Sequence, residues 1–380
     1  MVLIVSDDIF IRSLQGAGLV HDAELFLDRF RSDPGEFRLA IVADEADETL
    51  SAEAMIPALR YLSSQHIGVV ILSGLHDRAS SAAPSFLERL YKLGAIGRQL
   101  DVDSAESWKN AVPAASGSGI TALNIRIKAA ADVPAVIQRL HEIGCRKIVI
   151  LEAEGILCRN DEPIGIAAFP EDFDPAPWIS EVDERQQPAA RLALGMASQA
   201  ESRGISVSLA SPINMLAELF TVRGSGTLFR PQARFVTFQT PDAARERDLC
   251  DVVERAFGRT LVDRAFASAR QARGIIEVQA RAAALLIPTA LGDYMSKFAV
   301  IREAQGTGIG AELWAEICAT STKMFWRSRN ANPVNSWYAR VAEGMIRDGD
   351  WIFFWKGLPV SEIESAKQLA LGLPEDFRAS

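Results

Sequence analysis

Short β-rich runs alternate with helix-length amphipathic patterns over most of the chain, and this limits the fold more than any other feature of the sequence. Residues 38–42, 68–72, 147–151 and 205–209 read as strands, and the stretches 52–64 and 133–143 between them read as helices. Strands separated by helices predict a parallel or mostly parallel sheet covered by helices. The 380 residues are enough for two or three ordinary domains. Tryptophan marks where the second begins: Trp314, Trp326, Trp337, Trp351 and Trp355 crowd the last part of the chain, with Trp108 and Trp178 before it. The boundary is expected near Thr237–Pro241, where an extended run at 234–238 gives way to a charged helix opening around Asp242. The expected domains are therefore 1–238 and 239–380. Residues 111–118, rich in Ala, Ser, Gly and Pro, read as a loop within the first.

Charge and rare residues narrow the chemistry. Forty basic against 49 acidic side chains give a net charge of −9, which argues against nucleic acid as a default partner. No apolar run approaches the roughly 18 residues that a membrane span needs. The first residues lack the basic start and long apolar core of a secretory signal, so a cytoplasmic location is expected. Cys145, Cys158, Cys250 and Cys318 form no C-x-x-C pair and have no histidine nearby, so they read as reduced core residues and no metal is expected. The four histidines, His21, His66, His76 and His141, all precede the second domain, whose chemistry must proceed without imidazole.

The sharpest local signal is Gln305-Gly306-Thr307-Gly308-Ile309-Gly310, after a strand pattern at 298–301 and before a helix pattern at 311–318. Glycines let main-chain N–H groups approach a diphosphate at a helix N-terminus, where orphan donors and the macrodipole favour an anion. Many such turns are merely tight turns. A dinucleotide-binding turn would follow the first strand of a βαβ unit, and a P-loop would end in Gly-Lys-Ser/Thr; neither holds here. The Q-x-x-G-x-G pattern is that of the pyrophosphate loop of acyl-CoA-dependent N-acetyltransferases.

Downstream lie Phe325-Trp326-Arg327-Ser328-Arg329-Asn330-Ala331-Asn332-Pro333-Val334-Asn335-Ser336-Trp337-Tyr338 and Trp351-Ile352-Phe353-Phe354-Trp355-Lys356-Gly357-Leu358. From about Asp242 the chain resembles the acetyltransferase domain of vertebrate-type N-acetylglutamate synthases and of bifunctional bacterial synthase/kinases. The resemblance implies an α/β chain with a GCN5-type acetyltransferase domain following an amino-acid-kinase-like α/β/α domain. It implies acetyl-CoA as co-substrate, held by Phe298, Ala299, Val300, Gln305, Gly306, Gly308 and Gly310. It further implies L-glutamate bound through Lys297, Arg329 and Asn332, with Tyr338 and Asn332 at the reacting centre.

The chemistry asks for these types independently, since a dicarboxylic amino acid suits an Arg fork and a Lys point charge. Backbone N–H groups around 298–300 could stabilise a tetrahedral oxyanion, and Tyr338 could supply a proton to a leaving thiolate. From the residues alone, Tyr338 and Trp337 read equally as core aromatics, Lys297 as a surface lysine and Cys318 as core. Arg327 and Arg329 share one face of an extended run, so one can reach a ligand while the other is structural.

The segments 7–14, 26–31 and 211–229 also look like this family. In active kinases of that fold the first strand ends in K-x-G-G; here the matching stretch is Ile41-Val42-Ala43-Asp44. The second phosphate loop falls at Leu72-Ser73-Gly74-Leu75-His76, which keeps one glycine. No kinase activity is expected. Met215 to Thr227 resembles the segment that holds an L-arginine effector in arginine-sensitive relatives, with Glu218, Gly224 and Gly226 at the matching positions. The plainer reading is that Glu218 pairs structurally and the glycines turn the chain. The resemblance implies a homo-oligomer, a tetramer or dimer. Two competitors stay open: a catalytically weak arginine-sensing or partner-binding subunit, and an acetyltransferase for another amino acid.

Overall fold

The computed structural model describes residues 38–43, 52–73, 75, 83–102, 107–108, 110–111, 119–125, 133–170, 172–220, 224–239, 242–263 and 272–378. The expectations at 7–14 and 26–31, and most of the 111–118 loop, lie outside them, as do Asp44, Gly74 and His76. The chain divides into two compact units, Met1–Gln232 and Ala233–Ser380.

In the first unit β1 (Arg38–Val42), α1 (Ala52–Ser64), β2 (Gly68–Ser73), α2 (Ala83–Lys92), β3 (Arg98–Val102), β4 (Ile120–Ile125), α3 (Val133–Glu142) and β5 (Cys145–Leu151) follow in order. A hairpin, β6 (Leu157–Arg159) and β7 (Glu162–Ile164), then leads to β8 (Ile166–Phe169), α4 (Pro175–Ser180), α5 (Gln187–Ala200), β9 (Ser206–Ala210), α6 (Met215–Phe220) and β10 (Thr227–Pro231). Eight strands form one sheet in the order β3-β4-β2-β1-β5-β9-β10-β8, parallel except where β10 meets β9.

Helices cover both faces, and the strand sequences show why. Leu39 and Ile41 enter one core with Met55, Leu59 and Leu62 of α1; Ala40 and Val42 enter the other with Val136, Ile137 and Leu140 of α3. Val69/Val70 and Val149/Ile150 divide in the same way. Strands buried on both sides need continuous apolar runs, which is how these read. The β6–β7 turn is Asn160-Asp161, both at positive φ (51° and 63°), the two-residue turn whose twist suits a hairpin.

The second unit comprises β11 (Phe235–Gln239), α7 (Ala243–Phe257), β12 (Arg273–Glu277), β13 (Ala282–Thr289), β14 (Gly292–Val300), α8 (Ile309–Thr320), β15 (Met324–Arg329), α9 (Asn335–Val341), β16 (Gly344–Asp348), β17 (Trp351–Lys356) and α10 (Val360–Gly372). Its seven strands run β11-β12-β13-β14-β15-β17-β16. The extended run assigned above to the end of the first domain is β11, whose five residues pair antiparallel with β12. The units therefore part between Gln232 and Ala233, because hydrogen-bonded pairing outweighs proximity in sequence. Asp242 caps α7 by accepting from the Ala244 and Arg245 amides at 3.1 and 2.9 Å, as an N-cap aspartate should. Alternate residues again split between two cores: Met324 and Trp326 face one, Phe325 the other with Ala366 and Ala370 of α10.

Candidate active site

Within this otherwise antiparallel sheet β14 and β15 are parallel, and they pair over two residues, Asp293 with Met324 and Tyr294 with Phe325. Both strands continue, β14 against β13 as far as Val300 and β15 against β17 as far as Arg329, so a gap opens between them. The Ile301 amide donates to the Arg281 carbonyl at 2.9 Å. Antiparallel alternation then turns the backbone groups of Phe298 and Val300 toward the gap and those of Ala299 toward β13. Of the three residues expected on the acyl-CoA strand, Phe298 and Val300 thus keep an available edge. Ala299, fully buried, does not.

A bulge precedes this edge. Leu285 is opposite Lys297 and Leu286 is opposite Met295, which leaves Ser296 as the extra residue. Bulges re-aim side chains beside functional sites.

The glycine turn follows β14 through a short 3₁₀ turn at Arg302–Ala304. Gly306 and Gly308 have φ of 80° and 84°, a left-handed conformation that side chains disfavour. Gly308 starts α8, and no side-chain cap occupies its first amides. Those amides are oriented to receive an anion. Gln305 Nε2 donates to the Val300 carbonyl at 3.3 Å, tying the turn to the open strand. Gly310 differs from its neighbours: a Cβ there would stand 3.5 Å from Val300 Cγ2, an ordinary contact, so the chain's own packing does not require glycine at this position.

Tyr338, on α9, is 6% exposed and ringed by Trp326 at 5.4 Å, Phe354 at 5.5 Å, Trp337 at 5.6 Å and Phe298 at 6.2 Å. Burial pushes its phenol well above the ordinary tyrosine value, so it stays protonated and able to donate. Its contacts are those of a core aromatic. Asn332 is engaged by its own chain: Nδ2 donates to Ser328 Oγ at 3.1 Å, and Oδ1 accepts from the Val334 amide at 3.3 Å. It shapes the turn between β15 and α9 rather than projecting freely, because an Asx side chain beside a proline readily closes on the backbone.

The two cations expected to hold glutamate each have an acidic partner that the sequence reading missed, and the two partners are consecutive residues. Lys297, 6% exposed, pairs with Asp376 and also donates to Ser296 Oγ at 3.1 Å. Arg329 pairs with Glu375, lies 3.6 Å from Asp350, and stacks on Trp351 at 4.0 Å. Arg327 stacks on the same ring at 4.3 Å and donates to the carbonyls of Leu371 and Pro374 at 3.1 and 3.0 Å. Arg327 and Arg329 do share one face, and Arg327 has the structural part. Leu373-Pro374-Glu375-Asp376 carried no signal beyond that of a polar segment after a helix.

In the first unit Glu218 is 5% exposed and sits in a clip of its own chain. Lys147 Nζ on β5 donates to Oε1 at 3.0 Å, and the Ser225 and Gly226 amides donate to Oε2 at 2.9 and 3.0 Å. Burial pushes this carboxyl up, but the Lys147 charge and these hydrogen bonds more than offset it and hold it below the usual glutamate value. Gly224, at φ 64°, has no room for a Cβ against the Glu218 carboxylate, and Gly226 none against the Leu209 carbonyl. The three residues are thus brought together, with the Glu218 carboxylate held by Lys147 and by the turn that the two glycines form.

Of the kinase-matching stretches, Ile41 and Val42 end β1 and Ala43 follows it, all fully buried, and Leu72 and Ser73 end β2. The cysteines are free. Cys145 and Cys250 are buried, whereas Cys158 and Cys318 are half-buried, so Cys318 lies at the edge of the core rather than within it. Among the described residues no group of three or more His, Cys, Asp or Glu could hold a metal ion, and no helix is long and apolar enough to cross a membrane.

A sheet opened at one parallel pair, with a glycine turn feeding a helix beside the opening, marks the second unit as an N-acetyltransferase domain; the first is an α/β/α sandwich of eight strands covered on both faces. Residues 236–374 match the family model described as the N-acetyltransferase of N-acetylglutamate synthase. The chain resembles the vertebrate N-acetylglutamate synthases. It is 36% identical to the human mitochondrial enzyme over 243 residues, covering 61% of this chain and 44% of that protein. It is also 37% identical over 158 residues to an acetylglutamate kinase of Xanthomonas campestris, covering 40% of this chain and 37% of that one. The chain thus spans less than half the length of these relatives. The structure of N-acetylglutamate synthase from Neisseria gonorrhoeae complexed with coenzyme A and N-acetyl-glutamate has a TM-score of 0.48 and 15% identity, covering 90% of this chain and 99% of that one.

Proposed function

We propose that the chain is an amino-acid N-acetyltransferase that moves the acetyl group of acetyl-CoA to the α-amine of L-glutamate, giving N-acetylglutamate and CoA. The observation that carries this reading is the parting of β14 and β15 beyond Tyr294 and Phe325, beside the Gln305 to Gly310 turn. A pantetheine chain can hydrogen-bond along the freed edge of β14, with its diphosphate at the turn. The first amides of α8 then act on the diphosphate, and Lys297 and Arg329 on the two carboxylates of glutamate. The neutral amine attacks the thioester carbon, the C–N bond forms, and the carbonyl electrons move onto oxygen near the Phe298 and Val300 N–H groups. As that oxyanion collapses the C–S bond breaks and Tyr338 donates its proton to the departing thiolate, while the surplus proton of the attacking nitrogen leaves through water and restores the tyrosine, so the products are the neutral amide and free CoA thiol. Asn332 holds the turn that presents Arg329 and Tyr338. No metal and no covalent acetyl-enzyme enter this scheme.

The first unit is assigned a regulatory and assembly role without kinase activity. L-arginine is its effector, its guanidinium replacing the Lys147 ammonium at Glu218. A homo-oligomer in the cytoplasm completes the reading; the vertebrate relatives are named as mitochondrial. The test is thiol release from acetyl-CoA on adding L-glutamate, with and without arginine, in wild type and Tyr338→Phe. Glutamate-dependent release that arginine suppresses and that the variant loses supports the whole reading. Release insensitive to arginine leaves the first unit as a scaffold. Saturable acetyl-CoA binding without release, or release with another amino acid alone, overturns glutamate as the acceptor.

A further inference from the structure

The acidic pair Glu375-Asp376 lies where the acceptor's carboxylates are expected. Asp376 pairs with Lys297 and comes within 3.5 Å of Ser296 Oγ, while Glu375 pairs with Arg329. Adjacent residues are about 3.8 Å apart at Cα, so one short link carries two carboxylates onto two cations, as a dicarboxylic amino acid does. The segment is held on both sides. Arg327 grips the Leu371 and Pro374 carbonyls, the Val262 amide donates to the Asp376 carbonyl at 2.8 Å, and the Arg378 amide to the Thr260 carbonyl at 2.9 Å. The Phe377 ring packs on Phe257 at 4.9 Å and lies 5.5 Å from Lys297 Nζ.

We propose that Glu375 and Asp376 are an intramolecular competitor for the acceptor, which must displace them to reach Lys297 and Arg329; this rests on the glutamate reading above. With Asp350 beside Arg329 and Arg327 on the same Trp351 ring, three carboxylates face three cations while the segment is docked. A second dicarboxylate entering that field meets no excess of positive charge and finds Lys297 and Arg329 already matched. The two attachments differ in strength. The Asp376 pair is almost buried and the Glu375 pair is half-exposed, so the Glu375 side opens first and the Asp376 side sets the affinity of the competitor. The segment thereby sets the KM for glutamate and disfavours acceptors with one carboxylate, which can displace one partner but not both.

The experiment compares wild type with the Glu375→Gln/Asp376→Asn double variant. Amides keep the shape but form weaker, uncharged partners for Arg and Lys. A site that is competent only part of the time shows an affinity reduced by that fraction, so relief is expected to lower the glutamate KM about tenfold. The kcat and the acetyl-CoA KM should stay within about twofold, since the scheme places neither residue at the reacting atoms. Hydrogen exchange at the Val262 and Arg378 amides should quicken in wild type when L-glutamate is added. An unchanged or higher glutamate KM in the variant, or a fall in kcat, overturns the competitor while leaving the synthase reading intact. Turnover gained by the variant alone supports it most directly. If neither protein turns over glutamate while both bind acetyl-CoA, the synthase reading fails and the competitor falls with it.

Discussion

Tyr294 faces Phe325 across the last register pair that joins β14 to β15, and beyond it both strands run on without each other. A parallel pair that ends after two residues, inside a sheet whose other neighbours pair over four or more, leaves a row of backbone groups for a ligand. The site's other features are arranged around that opening.

Tyr338→Phe should lower kcat about a hundredfold with little change in the acetyl-CoA KM, because it removes a proton donor and no contact to the diphosphate. A donor works below its pKa, and burial raises this one above the ordinary value of 10.0. Wild-type kcat should therefore hold its plateau through that value and fall only at higher pH. A pH–rate profile that breaks at the ordinary tyrosine value, or a variant with full kcat, would remove Tyr338 from the mechanism.

Gly308→Ala forces a side chain into φ 84°, at a cost of about 1–2 kcal/mol, and shifts the turn that receives the diphosphate. A lower Tm and a raised acetyl-CoA KM are expected together. Gly310→Ala meets Val300 at ordinary distance and replaces a helical glycine, so Tm should rise slightly, in keeping with a propensity gain of about 1 kcal/mol. Equal effects at the two positions would contradict the assignment of the turn.

Glu218→Gln should destabilise the first unit by about 1–3 kcal/mol, because Lys147 loses its anion in a buried place. The folded carboxyl titrates below the ordinary value of 4.5, so the unfolded chain binds more protons between the two values and stability rises with pH there. The contribution is complete above the unfolded pKa and is lost as pH falls through the lowered folded one. Urea midpoints across the acid range should show a steeper acid loss in wild type than in the variant.

Arg329→Lys should raise the glutamate KM about tenfold while the acetyl-CoA KM stays, since lysine keeps the charge but loses the planar fork and the stack on Trp351. Steady-state kinetics with each substrate varied in turn would check it. A change confined to acetyl-CoA would place Arg329 at the wrong end of the site.

Burial pushes the Cys145 thiol up to about 12, and Cys250 is also buried. Neither should react with a thiol reagent until the chain unfolds. Mass analysis of labelled native protein should find any modification on Cys158 or Cys318. This matters for an assay that follows released CoA.

Much of the architecture was legible because its causes are local. Continuous apolar runs at 38–42 and 147–151 can exist only where both faces of a strand are covered, and helical patterns such as 52–64 supply the cover. The glycine turn was equally legible, since positive φ at Gly306 and Gly308 restricts the residue type directly. Most element ends moved by a residue or two, the strand read at 298–301 begins at Gly292, and β11 changed units, because pairing partners are remote in sequence.

The sequence by itself determined the alternation of strand and helix, the turn beside the opened sheet, and which side chains have the chemistry to hold an acidic amino acid. Tertiary structure alone decided what those side chains touch. Glu218 has a guanidinium-binding carboxylate in composition, yet Lys147, 71 residues away, already fills it. Lys297 and Arg329 read as open cations, yet a segment 79 and 46 residues further on brings Asp376 and Glu375 to them. Charge pairing depends on distance in space, falling with separation whatever the chain between, so no local pattern records it.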